Sequence, residues 1–336
     1  MVLVTGATGL LGRVIVLELL KKGYEVKASK RPTSDLKEVE QSFSYYVENG
    51  QEYFDKILWV DVDFEDQTSI AEVLVGVDEV YHCAAMVSFN PKEGKQTMKT
   101  NVTLTENLLY CCDPKTVKKF LYISSIAVLD LFNEKGELDE SSDFNSKVDH
   151  SWYAISKHAA EMEVWRASAE GLNTVIVNPG IIIGSGNWKG SSGKLFETFE
   201  KYAYTFSGSS SYVDVRDVAQ FSIELMEGNY FAERFVLVSG QKKFADFAKM
   251  VRDKLKLSAP KVLSDQLLNG VSFLRHVGFL VPPLKMLSKT NIEAVTSHTV
   301  VSSEKVQKLL NKSFIPVEES IAFHLNNYIN YKNTAK

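Results

Sequence analysis

Short apolar runs alternate along this chain with longer stretches of helical spacing. Residues 2–4 are apolar; after a turn rich in glycine, residues 10–22 carry apolar side chains at helical intervals and stop at Gly23, which suits a left-handed helix cap. Further apolar runs fall at residues 24–29, 57–60, 79–82, 120–123 and 174–177, with helix-like stretches between most of them. Strands separated by helices predict right-handed crossovers and a parallel sheet. Nearly uninterrupted runs such as FLYI and TVIV suit strands covered on both faces. The predicted class is α/β, with a doubly wound parallel sheet.

After Val177 the alternation breaks into NPGIIIGSGNWKGSSG, followed by a second ordered segment, YVDVRDVAQFSIELM. From Phe244 onward helix-like segments dominate, among them FADFAKMVRDKL and the apolar QLLNGVSFLRHVGFL, which Pro282 and Pro283 interrupt. With 336 residues, a large domain and a smaller one are expected. The pattern divides them into residues 1–178 plus 213–240, bearing the sheet, and residues 179–212 plus 241–336, a smaller and mostly helical substrate-binding region. The apolar stretch 267–287 has three readings: the lining of a greasy pocket, contact with a membrane surface, or ordinary helix packing, which is favoured.

Composition narrows the partners. An apolar share of 45%, a charged share of 24% and a net charge of -4 with mixed signs describe an ordinary globular protein without the basic footprint that nucleic acid requires. Cys83, Cys111 and Cys112 form neither a disulfide framework nor a metal knuckle, and no metal site is expected. The apolar amino-terminal segment lacks a basic leader, and no apolar run reaches the ~18 residues that span a bilayer, so a cytoplasmic protein without stable membrane insertion is expected.

Three motifs carry chemistry. In TGATGLLG, residues 5–12, Gly6, Gly9 and Gly12 lie between the first strand and the first helix, where glycines allow a tight turn and close approach of a pyrophosphate to the helix N-terminus. At the end of the second strand stand Ser29, Lys30 and Arg31. The planar guanidinium of Arg31 suits the 2'-phosphate of NADP, with Arg13 as a second donor; the competing reading makes both solvated charges, and nearby Asp35 leaves NAD as the alternative. In YAISK, Tyr153 and Lys157 share one helix face, where an ammonium favours a phenolate. In YISSIAV, Ser124 and Ser125 follow an apolar strand; a serine there either caps a turn or bonds a substrate oxygen, and Ser125 is the candidate.

A glycine-rich turn, a strand-end serine and a Tyr/Lys pair, in that order, resemble the extended branch of the short-chain dehydrogenase/reductase superfamily, also known as the NAD-dependent epimerase/dehydratase family. WVDVDFED, HCAAMVSF, TNVTLTENLL, NPGIIIG and YVDVRDVA resemble further segments of that branch. The resemblance implies a Rossmann fold and hydride transfer between a nicotinamide and a carbonyl or alcohol carbon. It implies Tyr153 as proton donor or acceptor, Lys157 on the nicotinamide ribose, and Ser125 on the substrate oxygen. It also implies cofactor contacts from Gly6, Thr8, Gly9, Leu10, Leu11, Gly12, Asp63, Phe64, Ala84, Ala85, Asn101 and Pro179.

RPTSD with NPGIIIG is similar to the dihydroflavonol-reductase and 3-beta-hydroxysteroid-dehydrogenase side of the family, and the absence of an RxFNxYGP-like stretch counts against a sugar nucleotide. The expectation is an NADP(H)-dependent reductase of a ketone or aldehyde, with a nucleotide-sugar epimerase or dehydratase as runner-up and a non-catalytic dinucleotide sensor behind both. Met86, Phe89, Ile126 and Trp188 are expected near a non-sugar substrate, although such residues more often belong to a core. A homodimer through helices flanking the sheet is compatible with the resemblance.

Overall fold

The computed structural model describes residues 1–88, 90–190, 193–266, 268 and 289–334. Strands β1 (Val2–Thr5), β2 (Val26–Lys30), β3 (Leu58–Asp61), β4 (Glu79–His82), β5 (Lys119–Ile123) and β6 (Thr174–Pro179) coincide with the six apolar runs. They join β10 (Glu233–Leu237) in one seven-stranded sheet of order β10-β6-β5-β4-β1-β2-β3, parallel throughout. This is the predicted doubly wound Rossmann sheet. The strand order reverses between β1 and β4, which opens a crevice at the C-terminal ends of those strands.

Alternate side chains of each strand enter different cores. Val2, Val4, Leu121, Ile123, Val175 and Val177 meet α1 (Leu10–Lys21), α2 (Leu36–Phe43) and α9 (Val215–Glu227) on one face. Leu3, Phe120, Tyr122 and Ile176 meet α4 (Gln67–Leu74), α6 (Leu104–Cys111) and α7 (Trp152–Ala169) on the other. Burial on both faces explains the nearly continuous apolar runs, and each large aliphatic side chain buried this way contributes roughly 1.5–3 kcal/mol.

The strand that the apolar pattern missed, β10, reads ERFVL. Its first two residues are charged because Glu233 is exposed and Arg234 turns toward the loop before α7. Only three apolar residues remain, too few to stand out as a run.

Beyond the main sheet, β7 (Ile181–Ile183), β9 (Ser209–Asp214) and β11 (Gly240–Lys243) form a three-stranded sheet, and β8 (Tyr204–Thr205) pairs with β12 (Lys261–Val262). The part expected to be mostly helical therefore also contains strands. Helices α8 (Lys194–Lys201), α10 (Phe244–Lys254) and the C-terminal helix Val317–Thr334 pack with this small sheet around Phe196, Tyr212, Phe247 and Ile321.

Trp188 belongs to that core and not to a pocket. It is 6% exposed, and its ring meets Tyr45, Phe196, Tyr328 and Tyr331 with centroids 5.4 to 6.4 Å apart. An aromatic residue in a polar loop signals burial as readily as ligand contact, and here packing wins. Phe89 and nearly all of the apolar stretch 267–287 lie outside the described residues. No helix among the described residues is long and apolar enough to cross a membrane.

Candidate active site

The glycine turn forms the floor of the crevice. Gly6 has φ +64°, and a Cβ there would stand 2.7 Å from the Ala84 amide nitrogen, so the turn closes onto the end of β4. Gly9 precedes α1 with extended backbone and no side-chain cap, which leaves the first amides of that helix without a capping side chain. Free amides at a helix N-terminus beside a turn without side chains fit a dinucleotide pyrophosphate. The Leu11 side chain is buried and Leu10 is half-buried, so these residues meet a ligand through backbone if at all.

The basic residues near β2 separate into three situations. Arg13 is 1% exposed: it makes a two-pronged ion pair with Glu38 at 2.8 Å and donates to the carbonyls of Thr8 and Gly9. It therefore does not serve as the second phosphate donor, because all of its donors face inward on α1. Lys30 pairs with Asp61 at 2.7 Å. Arg31 is exposed, its amide donates to Ser34 Oγ, and no ion pair engages its guanidinium among the described residues. Asp35 accepts from the Glu38 amide and caps α2. Asp63 is exposed at the rim, where it accepts from the Glu65 amide, and Phe64 packs half-buried below it.

Helix α7 presents the Tyr/Lys pair. Ser151 caps it, accepting from the Ala154 amide at 3.1 Å, an arrangement that contributes about 1 kcal/mol. Its buried side includes Ser156, Lys157 and Glu161. Tyr153, Lys157 and Glu161 recur every four residues and reach successive groups at the end of β5. The Tyr153 phenol is hydrogen-bonded with the Ser125 hydroxyl. Lys157 Nζ donates to the Ile123 carbonyl at 2.6 Å and sits 4.7 Å from the centre of the Tyr122 ring. Glu161 accepts from Ser124 Oγ at 2.6 Å, from Asn178 Nδ2 at 3.1 Å and from Arg234 at 3.3 Å.

Burial pushes the Tyr153 phenol above its ordinary value, and the Ser125 bond opposes that rise in part. Burial brings the Lys157 ammonium down to about 8 against the nearby Cys83 and Glu161. The Lys157 charge is directed at the Ile123 carbonyl and at Tyr122. Burial raises the Cys83 thiol to about 12, in keeping with its reading as a small buried group.

Asn101 occupies a wide turn at Lys99–Thr103, where the helix makes π-type bonds. Its Oδ1 accepts from the Met86 amide at 2.7 Å, and its Nδ2 donates to the Met86 carbonyl and to Ser156 Oγ, both at 2.9 Å. The amide is thus committed to holding the segment after β4 against α7, so it supports the crevice wall. Ala84 is fixed by Thr5 Oγ1 at 3.2 Å, with Ala85 and Met86 half-buried after it. Ile126 lies next to Ser125 at the start of a short 3-10 turn, and Pro179 ends β6 beside β10. The structure brings together the glycine turn, Ala84–Met86, Ser125, Tyr153 and Lys157. It removes Trp188 and Arg13.

Sequence reasoning missed His82, Glu161, Arg234, Asn178 and Glu38. The spacing of Glu161 from Lys157 was a usable signal; the others are joined only by tertiary contacts.

The chain matches the NAD dependent epimerase/dehydratase family over residues 2–231. A Synechocystis sp. protein provisionally named dihydroflavonol 4-reductase is 32% identical over 222 residues, 64% of this chain and 60% of that relative. A dihydroflavonol 4-reductase of Arabidopsis thaliana is 24% identical across 99% of this chain and 87% of its own length. Among solved structures, that of gox2253 superposes with a TM-score of 0.82 at 23% identity over 98% of both chains, a likeness of fold.

Proposed function

From the premise that this chain belongs to the NAD-dependent epimerase/dehydratase family of NAD(P)-dependent enzymes, we propose that it reduces a ketone or aldehyde of a small non-sugar substrate with NADPH, or oxidises the corresponding alcohol. The observation that carries this reading is the Tyr153 phenol, hydrogen-bonded with Ser125 at the strand end and kept protonated by burial. A phenol protonated through the neutral range holds the proton that the reduced oxygen takes up.

The bound dinucleotide supplies a hydride to the carbonyl carbon. The Ser125 hydroxyl holds and polarises the carbonyl oxygen, and Tyr153 gives its phenolic proton to that oxygen as the new C–H bond forms. Electrons and protons balance: the carbonyl gains the hydride and one proton, and the tyrosinate regains a proton from solvent. Lys157 follows Tyr153 by one turn of α7 and is turned toward Ile123 O and Tyr122; in this proposal its ammonium is the cation that steadies the tyrosinate during turnover.

NADPH is favoured because the exposed guanidinium of Arg31 follows β2, whereas the neighbouring cations Arg13 and Lys30 are already paired. Half-buried Met86 and Ile126 beside the crevice favour an apolar substrate. Dihydroflavonol reduction, named for the Arabidopsis relative, is one member of the class to screen. The test is fluorescence titration of purified protein with NADPH and NADH, followed by NADPH turnover against a panel of ketones and aldehydes. Preferential NADPH binding with turnover of an apolar carbonyl supports the reading. Retained NAD, or conversion of sugar nucleotides without net oxidation, replaces it with an epimerase or dehydratase.

A further inference from the structure

The segment after β7 rests directly on the dinucleotide-binding turn. A Cβ on Gly184 would stand 2.9 Å from Leu10 Cδ1, so this segment lies in close contact with the Leu10 side chain at the start of α1. The next residue, Ser185, is held from both sides: its amide and carbonyl each bond Tyr46 Oη at 2.9 Å, while its hydroxyl meets His324 Nδ1 at 2.7 Å and Asn327 Nδ2 at 2.9 Å on the C-terminal helix. Asn187 takes a left-handed conformation, φ +48°, and its amide donates to Glu38 Oε1 at 2.6 Å.

That same carboxylate completes the ion pair with Arg13, whose remaining donors hold the Thr8 and Gly9 carbonyls. One side chain thus joins the glycine turn, through Arg13, to the loop that leads into α8.

We propose that Glu38 is a positioning residue that couples occupancy of the dinucleotide turn to the conformation of residues 184–188. A ligand whose phosphates bond the amides after Gly9 fixes the Thr8–Gly9 carbonyls from the other side. Those carbonyls fix Arg13, and Arg13 fixes the carboxylate that receives the Asn187 amide. A two-pronged guanidinium–carboxylate pair transmits orientation because it admits one planar geometry. Arg13 is almost fully buried while Glu38 is 35% exposed, so solvent screens the pair from the carboxylate side only. Residues 184–188 are then ordered together with the cofactor, before any substrate arrives.

The test is hydrogen exchange of the amides in residues 184–190 with and without saturating NADPH (NADH if it binds more tightly), in the natural protein and in Glu38→Gln. The Gln side chain keeps the size but loses the charge and one acceptor. In the natural protein the dinucleotide slows these amides by about tenfold or more, and in Glu38→Gln the slowing shrinks below about twofold although the dinucleotide still saturates.

A residue that merely supported the fold would raise exchange in both states and leave the ligand-dependent slowing intact. That result, or no slowing in the natural protein, overturns the proposal. Glu38→Asp keeps the charge for Arg13 and withdraws from the Asn187 amide. It should show the same loss of slowing, and it serves where the Gln variant fails to fold.

Discussion

Thr5 Oγ1 and His82 Nδ1 stand 2.7 Å apart although 77 residues separate them in the chain. Thr105 Oγ1 gives its single hydrogen to the Asn101 carbonyl, so it accepts from His82 Nε2, 2.8 Å away. His82 is then protonated on Nε2 and accepts the Thr5 hydrogen at Nδ1, while Thr5 accepts from the Ala84 amide at 3.2 Å. The network assigns one tautomer and ties the ends of β1 and β4 together where the strand order reverses.

This neutral histidine sets an acid limit on stability. Burial, aided by Lys157, lowers His82 to about 3 from its ordinary 6.5. The folded state then binds fewer protons than the unfolded chain between those values, so this residue's contribution is full above pH 6.5 and is lost as pH falls toward 3. Acidification from pH 6.5 to about 4.5 should cost ~2–3 kcal/mol through His82. In urea denaturation, His82→Asn is expected to be less stable at neutral pH and to lose that part of the acid slope. An unchanged slope would assign the acid sensitivity elsewhere.

Tyr153→Phe should lower turnover by at least about 100-fold, the scale of general acid catalysis, while the NADPH dissociation constant stays within about twofold. In the proposed reaction the phenol acts on the substrate oxygen and the pyrophosphate rests on the turn after Gly6, so the two readouts separate. Comparable losses of binding and turnover would instead mean that Tyr153 supports the shape of the crevice.

Much of this arrangement was legible in the chain. Period and turn chemistry located six of the seven main strands, and motif order marked Ser125, Tyr153 and Lys157 as candidates, because each depends on residues close in sequence. Arg13 misled because a basic residue beside a phosphate-binding turn looks the same on paper whether it faces out or in; Glu38, 25 residues away, decides it. Trp188 misled for the same reason, its ring partners being Tyr45 and residues of the C-terminal helix. The resemblance implied a cofactor contact from Asn101, whose amide is spent on Met86 and Ser156.

Arg31→Ala should weaken NADPH far more than NADH, by roughly 10-fold or more for the loss of a charge-assisted phosphate contact of ~1.5–3 kcal/mol. With Arg13 and Lys30 already paired, neither can substitute without leaving a carboxylate behind. Dissociation constants for both dinucleotides at one ionic strength check this, and an unchanged NADPH/NADH ratio would remove Arg31 from the 2'-phosphate role.

Behind the site, Arg234 supplies a cation to the buried Glu161 carboxylate while donating to the Glu140 and Ser142 carbonyls. Arg234→Met would leave Glu161 with Ser124 and Asn178 as donors but without its directly paired cation, a loss of about 3–5 kcal/mol for a buried pair broken on one side. The Arg234→Met/Glu161→Gln double variant removes the stranded charge and should recover a substantial part of that loss. Because Ser124 adjoins Ser125, and Glu161 follows Lys157 by one helical turn, the single variant should also lower turnover more than dinucleotide affinity. Urea denaturation of both variants beside the natural protein decides the energetic part: a double variant no more stable than Arg234→Met would mean that Arg234 acts through its carbonyl bonds and not through Glu161.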